Sequence, residues 1–328
     1  MNHYLGQPVH KRLRLLLLAL AIVFVAVGCH SSAQQRNWLE VSEDDMEHLL
    51  SLHDHDMMMS WVEELTGEKY GGREAGTEHE DLAGDYIVQV LQSLGLQPWR
   101  EAGLEEYRHS FQLPRRSEPS ENIVAVLPGR SKDEFLLIGA HYDHIGIIDG
   151  VYHPGADDNA VGTAAVLELA RIFSQCELTP ERTIVFVLFS GEEKGMIGSQ
   201  ALVEHLRQQA LDDQVMLLNL DVIAGVEGDT LVVFDGGFRI NQPWSNRAEL
   251  EAEAAGVEAE ISRQLAGGVD SMRFTEKKIP GITLVWGDLR ENHPHLHLPT
   301  DTVENLNQEI VAAATRAAIR IAWAFAMR

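Results

Sequence analysis

Acidic and histidine side chains recur in order along this chain. His141 and Asp143 lie in GAHYDHIG, Asp157 and Asp158 in PGADDNAVG, Glu192 and Glu193 in FSGEEKGMIGS, Asp221 in LNLDVIAG, and His297 in HLHLPTDT. Two imidazoles and several carboxylates are the donors a pair of zinc ions takes, and a spare carboxylate is left to move a proton. A single HxD or EE pair arises by chance. Five such segments in order, most at or near the ends of expected strands, point to a metal-dependent hydrolase.

The elements that must position these residues can be read from the apolar pattern. Strands are predicted at 121–127, 134–140, 183–189, 215–220, 230–234 and 281–286, several of them continuously apolar as doubly covered strands are. Helices are predicted at 81–94, 160–174, 197–208, around 247–255 and at 302–327, and 38–65 carries apolar residues at helical spacing. This alternation predicts an α/β fold: a single domain with a mostly parallel mixed central sheet flanked by helices on both faces. Ligands bind such sheets at the carboxyl ends of strands, where His141, Glu192 and Asp221 fall, so the motifs should converge. The stretch between Leu113 and Glu121 is too short for an inserted domain, which leaves one catalytic domain over 37–328.

The 328 residues carry a net charge of −24, or −27 without residues 1–28, which hold Lys11, Arg12 and Arg14 but no acids. So acidic a surface excludes nucleic acid as an expected partner. The start of the chain has the form of an export signal: basic residues, then an apolar run from Leu15 to Val27, too short to span a membrane comfortably. Ala26-Val27-Gly28-Cys29 resembles a bacterial lipobox, with Ala26 where Leu is usual. Residues 1–28 are therefore expected to be a lipoprotein signal peptide, Cys29 the lipidated residue and 29–36 a tether. The expected location is the bacterial cell envelope, exported and held to the membrane through the Cys29 lipid. Cys176 is then the only thiol left, so no internal disulfide forms, and it reads as a packed cysteine. Met57, Met58 and Met59 read as packing residues.

The series GGREAGT, HYDH, GADDNAVG, SGEEKG, NLD, VDSMRF...IPGITL and HLPTDT, over most of residues 71–302, resembles the di-zinc aminopeptidases of the aminopeptidase Y and bacterial leucyl aminopeptidase type, metallopeptidase family twenty-eight. The resemblance implies a zinc-exopeptidase α/β/α sandwich with two zinc ions per chain. It implies that His141 and Asp221 hold one ion, that Glu193 and His297 hold the other, and that Asp157 bridges them, with a cis bond to Asp158. Asp143 would accept the ring N–H of His141, Asp158 would orient its neighbours, and Glu192 would be the general base acting on a water held between the ions. The implied substrates are peptides with a free N-terminus.

Neighbouring residues are read more plainly. His144 and His153 are expected to be packed or exposed, His293 and His295 yield to His297 because the HxPxDT pattern selects it, and Thr300 to Thr302 cap the last helix, with Asp301 a partner for a ligand. Arg273 and Asp270, in the VDSMRF loop, and Arg290 are candidate substrate contacts, and Arg273 keeps a carboxypeptidase open. The alternatives are a one-zinc glutaminyl-peptide cyclotransferase, which shares the GEE and final His positions but lacks ADDNAVG, and a non-catalytic surface binding lipoprotein, which the full ligand set disfavours.

Overall fold

In a computed structural model the described residues are 38, 41–114, 116 and 118–328. The expected signal peptide, Cys29 and the tether lie outside them. The chain divides into Met1–Trp38 and Leu39–Arg328, and the second unit carries the fold.

In chain order the strands are β1 (Arg108–Gln112), β2 (Pro119–Leu127), β3 (Phe135–His141), β4 (Ile147–Ile148), β5 (Val151–Tyr152), β6 (Thr183–Phe189), β7 (Val215–Leu220), β8 (Thr230–Phe234), β9 (Glu258–Ser262) and β10 (Gly281–Trp286). Eight of them form one mixed sheet in the order β1-β2-β6-β3-β7-β10-β8-β9. The middle four, β6, β3, β7 and β10, are parallel to one another. They are buried at every position, which is why their sequences are nearly continuous apolar runs. Antiparallel pairings of β1 with β2, β2 with β6 and β8 with β10 extend the sheet on either side.

The helices are α1 (Glu43–Ser51), α2 (His55–Leu65), α3 (Glu78–Ser93), α4 (Val161–Gln175), α5 (Ile197–Gln208), α6 (Gln242–Ala254), α7 (Ser271–Glu276) and α8 (Gln308–Ala326). Trp99, Phe135, Leu137, Val187, Phe189, Leu202, Leu206, Leu217 and Phe274 join sheet, α5 and α7 in one buried cluster. Each such side chain contributes about 1.5–3 kcal/mol by leaving water. α4 is buried along most of its length.

Two expected helices end elsewhere, for local reasons. The run 38–65 is broken because Asp54 caps a new helix, its Oδ1 accepting the Met57 N–H at 2.9 Å, while its own N–H donates to Glu168 on α4 at 2.7 Å. The last helix begins at Gln308 and not near 302, since Asn307 caps it by accepting from the Glu309 and Ile310 N–H groups. β1 and β9 were not expected. Their sequences, RHSFQ and EAEIS, belong to the two sheet edges, where burial is partial and no apolar run is demanded.

Candidate metal centre

The carboxyl ends of the four parallel strands deliver the ligand-type side chains to one place. His141 is the last residue of β3, Glu192 and Glu193 follow β6, and Asp221 follows β7. His297 comes from the loop after β10, where its φ is 58°. Asp158 precedes α4 in a short irregular turn that includes a cis bond between Asp158 and Asn159.

These side chains form two adjoining groups that share Asp158. In one, His141, Asp158 and Asp221 bring ligand atoms within 4.8 Å of one another; in the other, His144, Asp158 and Glu193 do so. Asp158 Oδ1 lies 3.2 Å from His141 Nε2, which is also 3.3 Å from Asp221 Oδ1. Asp158 Oδ2 lies 3.0 Å from His297 Nε2, itself 3.2 Å from Glu193 Oε2. His144 Nδ1 is 2.9 Å from the other Glu193 oxygen, and its buried Nε2 has no hydrogen-bond partner among the described residues.

The residue between the two groups is therefore Asp158 and not Asp157, as the sequence reading had it. Asp157 turns away: its Oδ1 accepts the Ala224 N–H and its Oδ2 the Gly225 N–H, each at 3.2 Å, and Oδ2 meets His293 Nδ1 at 2.5 Å. His293 in turn donates from Nε2 to the Trp286 carbonyl, and the Asp157 carboxylate raises its pKa against the effect of burial. The cis bond is likewise one residue further on than expected. Asn159, which follows it, ties the turn to β7, donating to the Leu220 carbonyl at 2.9 Å and accepting from Val222 and Gly162. Gly162 has no side chain for a reason: a Cβ there would stand 2.2 Å from Asn159 Oδ1.

One supporting carboxylate differs from expectation, and another does so only in part. The His141 ring N–H donates to the Asp143 carbonyl at 3.1 Å, with the Asp143 carboxylate 3.7 Å away. That carboxylate instead accepts the Glu192 and Glu193 backbone N–H groups at 3.2 and 3.4 Å, so it orients the glutamate pair. Either way Nδ1 carries the proton and Nε2 faces the carboxylates, the tautomer a metal ligand needs. Asp301 does not cap the last helix. It accepts the backbone N–H groups of Asp157 and Asp158 at 2.8 and 3.1 Å, and burial beside those aspartates pushes its pKa up to about 7.

The charge balance fits a bound cation. Asp158, Asp221 and His141 are at most 4% exposed, and among the described residues no lysine or arginine pairs with Asp158, Asp221, Glu192 or Glu193. Among the described residues imidazoles pair with Asp158, Asp221 and Glu193, and hydrogen bonds to Asp158 and Glu193 push His297 up to about 10. Burial raises Glu192 well above the usual carboxylate range; Asp221, Asp270 and Asp143 add to this against the pull of His141. Histidine and carboxylate donors of this kind suit zinc and similar divalent ions.

Comparison with known proteins turns this donor set into a classification. The profile of Peptidase family M28 matches residues 122–322, which include every ligand-type residue named above. The chain belongs to this family. Aminopeptidase YwaD of Bacillus subtilis (strain 168) is 28% identical over 251 residues, which is 75% of this chain and 50% of that protein. The chain thus spans about half the length of that curated relative. Among solved structures, the LapA aminopeptidase of Legionella pneumophila superposes with a TM-score of 0.74 at 23% identity, covering 90% of this chain and 78% of LapA. Fimbriiglobus ruber glutaminyl cyclase does so at 0.68 and 18%, covering 83% and 95%. At such identities these two likenesses establish the fold.

In this M28 chain the centre opens into a cleft of about 290 Å³ whose walls include Met196, Val222, Leu265, Val269, Leu289 and Leu296, with Glu192 and His297 beside them. None of the three expected substrate contacts lines it. Arg273 donates to the Gly195 carbonyl at 3.1 Å and pairs with Glu276, bracing the glutamate loop from outside. Asp270 is wholly buried, and burial raises its pKa to about 7. Arg290 is exposed in a turn held by Asp288. His144 was passed over because a histidine three residues after a ligand is usually incidental; only the path of the loop past β3 brings it back to Glu193.

Proposed function

We propose that this chain is a metal-dependent aminopeptidase holding two zinc ions, with peptides bearing a free N-terminus as substrates. The observation that carries the reading is the division of Asp158: one carboxylate oxygen faces His141 and Asp221, the other faces His297 and Glu193. His141, Asp221 and Asp158 would hold one ion, and Glu193, His297 and Asp158 the other, with His144 beside it. Zinc there would supply Lewis acidity for the scissile carbonyl and lower the pKa of water.

The chain's own residues do the rest. Glu192 borders the cleft without a Lys or Arg partner among the described residues and with a raised pKa, so it suits the task of taking a proton from the attacking water and passing it to the leaving amine. Asp143 keeps that carboxylate in place through the backbone of Glu192 and Glu193. The apolar walls favour an apolar first side chain and give no support to an acidic preference set by Arg273, or to a carboxypeptidase. The export signal and lipid anchor on Cys29 remain part of the proposal on the sequence alone.

The test is zinc content of the full chain, together with hydrolysis of leucyl, glutamyl and N-blocked leucyl amides. Two zincs and cleavage of the unblocked leucyl amide alone or fastest is the expected result. One zinc with cyclisation of an N-terminal glutamine substrate would replace this reading with the cyclotransferase, and no metal with no turnover would replace it with a binding lipoprotein.

A further inference from the structure

The GGREAGT segment is the one motif of the resemblance to which the chemistry above gives no task, and it holds no ligand. Its Arg73 is nonetheless wholly buried, at 0% exposure, in a backbone conformation with φ 53°. Its guanidinium makes no carboxylate pair among the described residues and is spent on main-chain carbonyls. Nε donates to Tyr142 O at 2.7 Å, Nη1 to Leu65 O at 2.7 Å and Pro154 O at 2.8 Å, and Nη2 to Gly155 O at 2.9 Å. Tyr142 lies between His141 and Asp143, and Gly155 lies three residues before Asp158. The carbonyl of Arg73 in turn accepts the His144 N–H at 3.3 Å.

The neighbouring residue extends the same junction to a third loop. Glu74 forms a β-bridge with His144, and its carboxylate binds Lys194 Nζ at 2.9 Å, directly after Glu193, as well as Arg116. Close approach is built in at Gly72, where a Cβ would stand 2.5 Å from His153 O. Without the guanidinium, four buried carbonyls from three segments would each lose a hydrogen bond, the Gly155 carbonyl keeping the one from the Ala160 N–H. Only a planar fork with five N–H groups reaches them together, which lysine cannot imitate.

We propose that Arg73 is a positioning residue for the metal centre, its guanidinium setting the distance between the His141–His144 loop and the loop that carries Asp158. The proposal rests on the two-metal reading above. It requires that metal affinity fall when the fork is lost even though no ligand has been touched.

The experiment compares zinc affinity, by competition with a chromogenic chelator, and urea stability of the zinc-free protein for the full chain and for Arg73→Lys, Glu74→Gln and Arg320→Gln. Arg320 is another buried arginine, paired with Glu43 and Glu251 away from the metal loops. Arg73→Lys is expected to bind zinc about 10–100-fold more weakly, as loss of supporting hydrogen bonds does elsewhere. Arg320→Gln is expected to lose stability at unchanged zinc affinity. If Arg73→Lys binds zinc as the parent does, or if Arg320→Gln weakens zinc to the same degree, Arg73 is an ordinary stabilising residue and the proposal is overturned. Should Arg73→Lys not fold, the partly exposed Glu74→Gln decides: weaker zinc binding by a few fold supports the junction, and unchanged binding overturns it. A parent chain that binds no zinc is a different result, since it removes the metal reading itself.

Discussion

His293 Nδ1 stands 2.5 Å from Asp157 Oδ2, and this buried pair settles which of two adjacent aspartates faces the centre. With Asp157 also bound to two backbone N–H groups, only Asp158 is free to address both groups of ligands. Asp158→Asn is therefore expected to lose at least one zinc, and Asp157→Asn to keep both while losing about 3–5 kcal/mol of stability, because it leaves the buried His293 charge unpaired. Metal analysis and urea unfolding of the two variants check this; full zinc content in Asp158→Asn would refute the assignment.

Glu192 pairs with no imidazole among the described residues, and in the proposed mechanism its part is to move a proton. Glu192→Gln is expected to keep the zinc content of the parent and lower kcat by about 10²–10⁴-fold, the range for loss of a positioned acid–base group. Single-turnover kinetics beside metal analysis tests this, and a variant retaining parental kcat would assign the proton to another residue.

Leu289 lies on the apolar wall of the cleft. Leu289→Asp should lower kcat/KM for a leucyl amide by about 10-fold or more and spare zinc binding, since pocket discrimination for apolar groups is worth about 1–3 kcal/mol. A side-chain panel measured on parent and variant gives the answer; an unchanged ranking would mean that this wall does not contact the first residue of the substrate.

On the edge strand β1, His109 is buried, accepts a hydrogen bond from Asn122 and lies against His205. Burial, with His205 adding to it, lowers its pKa to about 4 from the 6.5 of a free imidazole. Between these values the unfolded chain binds more protons than the folded one. Stability from this site is thus complete above about pH 6.5 and is lost as pH falls toward 4, by at most about 3 kcal/mol. In zinc-free protein His109→Gln should flatten the urea stability profile over that interval relative to the parent; parallel profiles would show that His109 does not titrate in this way.

The central sheet was legible because a strand covered on both faces must be apolar throughout. β6, β7, β8 and β10 fall at the residues expected for them, and β3 is displaced by one. The edge strands β1 and β9 carried no such signal. Likewise, acids and histidines at strand ends announced a shared site, since a parallel sheet sends all such ends to one side.

Residue type and order along the chain thus determined the family, the α/β fold and the segments that meet. What they did not determine was direction. Asp157 and Asp158 are chemically identical neighbours, and His144 differs from an incidental histidine only by what lies opposite it. Which carboxylate turns inward is decided by partners distant in sequence: His293, 136 residues from Asp157, draws one away, while Asp301 and Asn159 hold the backbone that presents the other. The same holds for Arg73, whose four acceptors are carbonyls that every residue possesses, so that only the folded path of the chain distinguishes them.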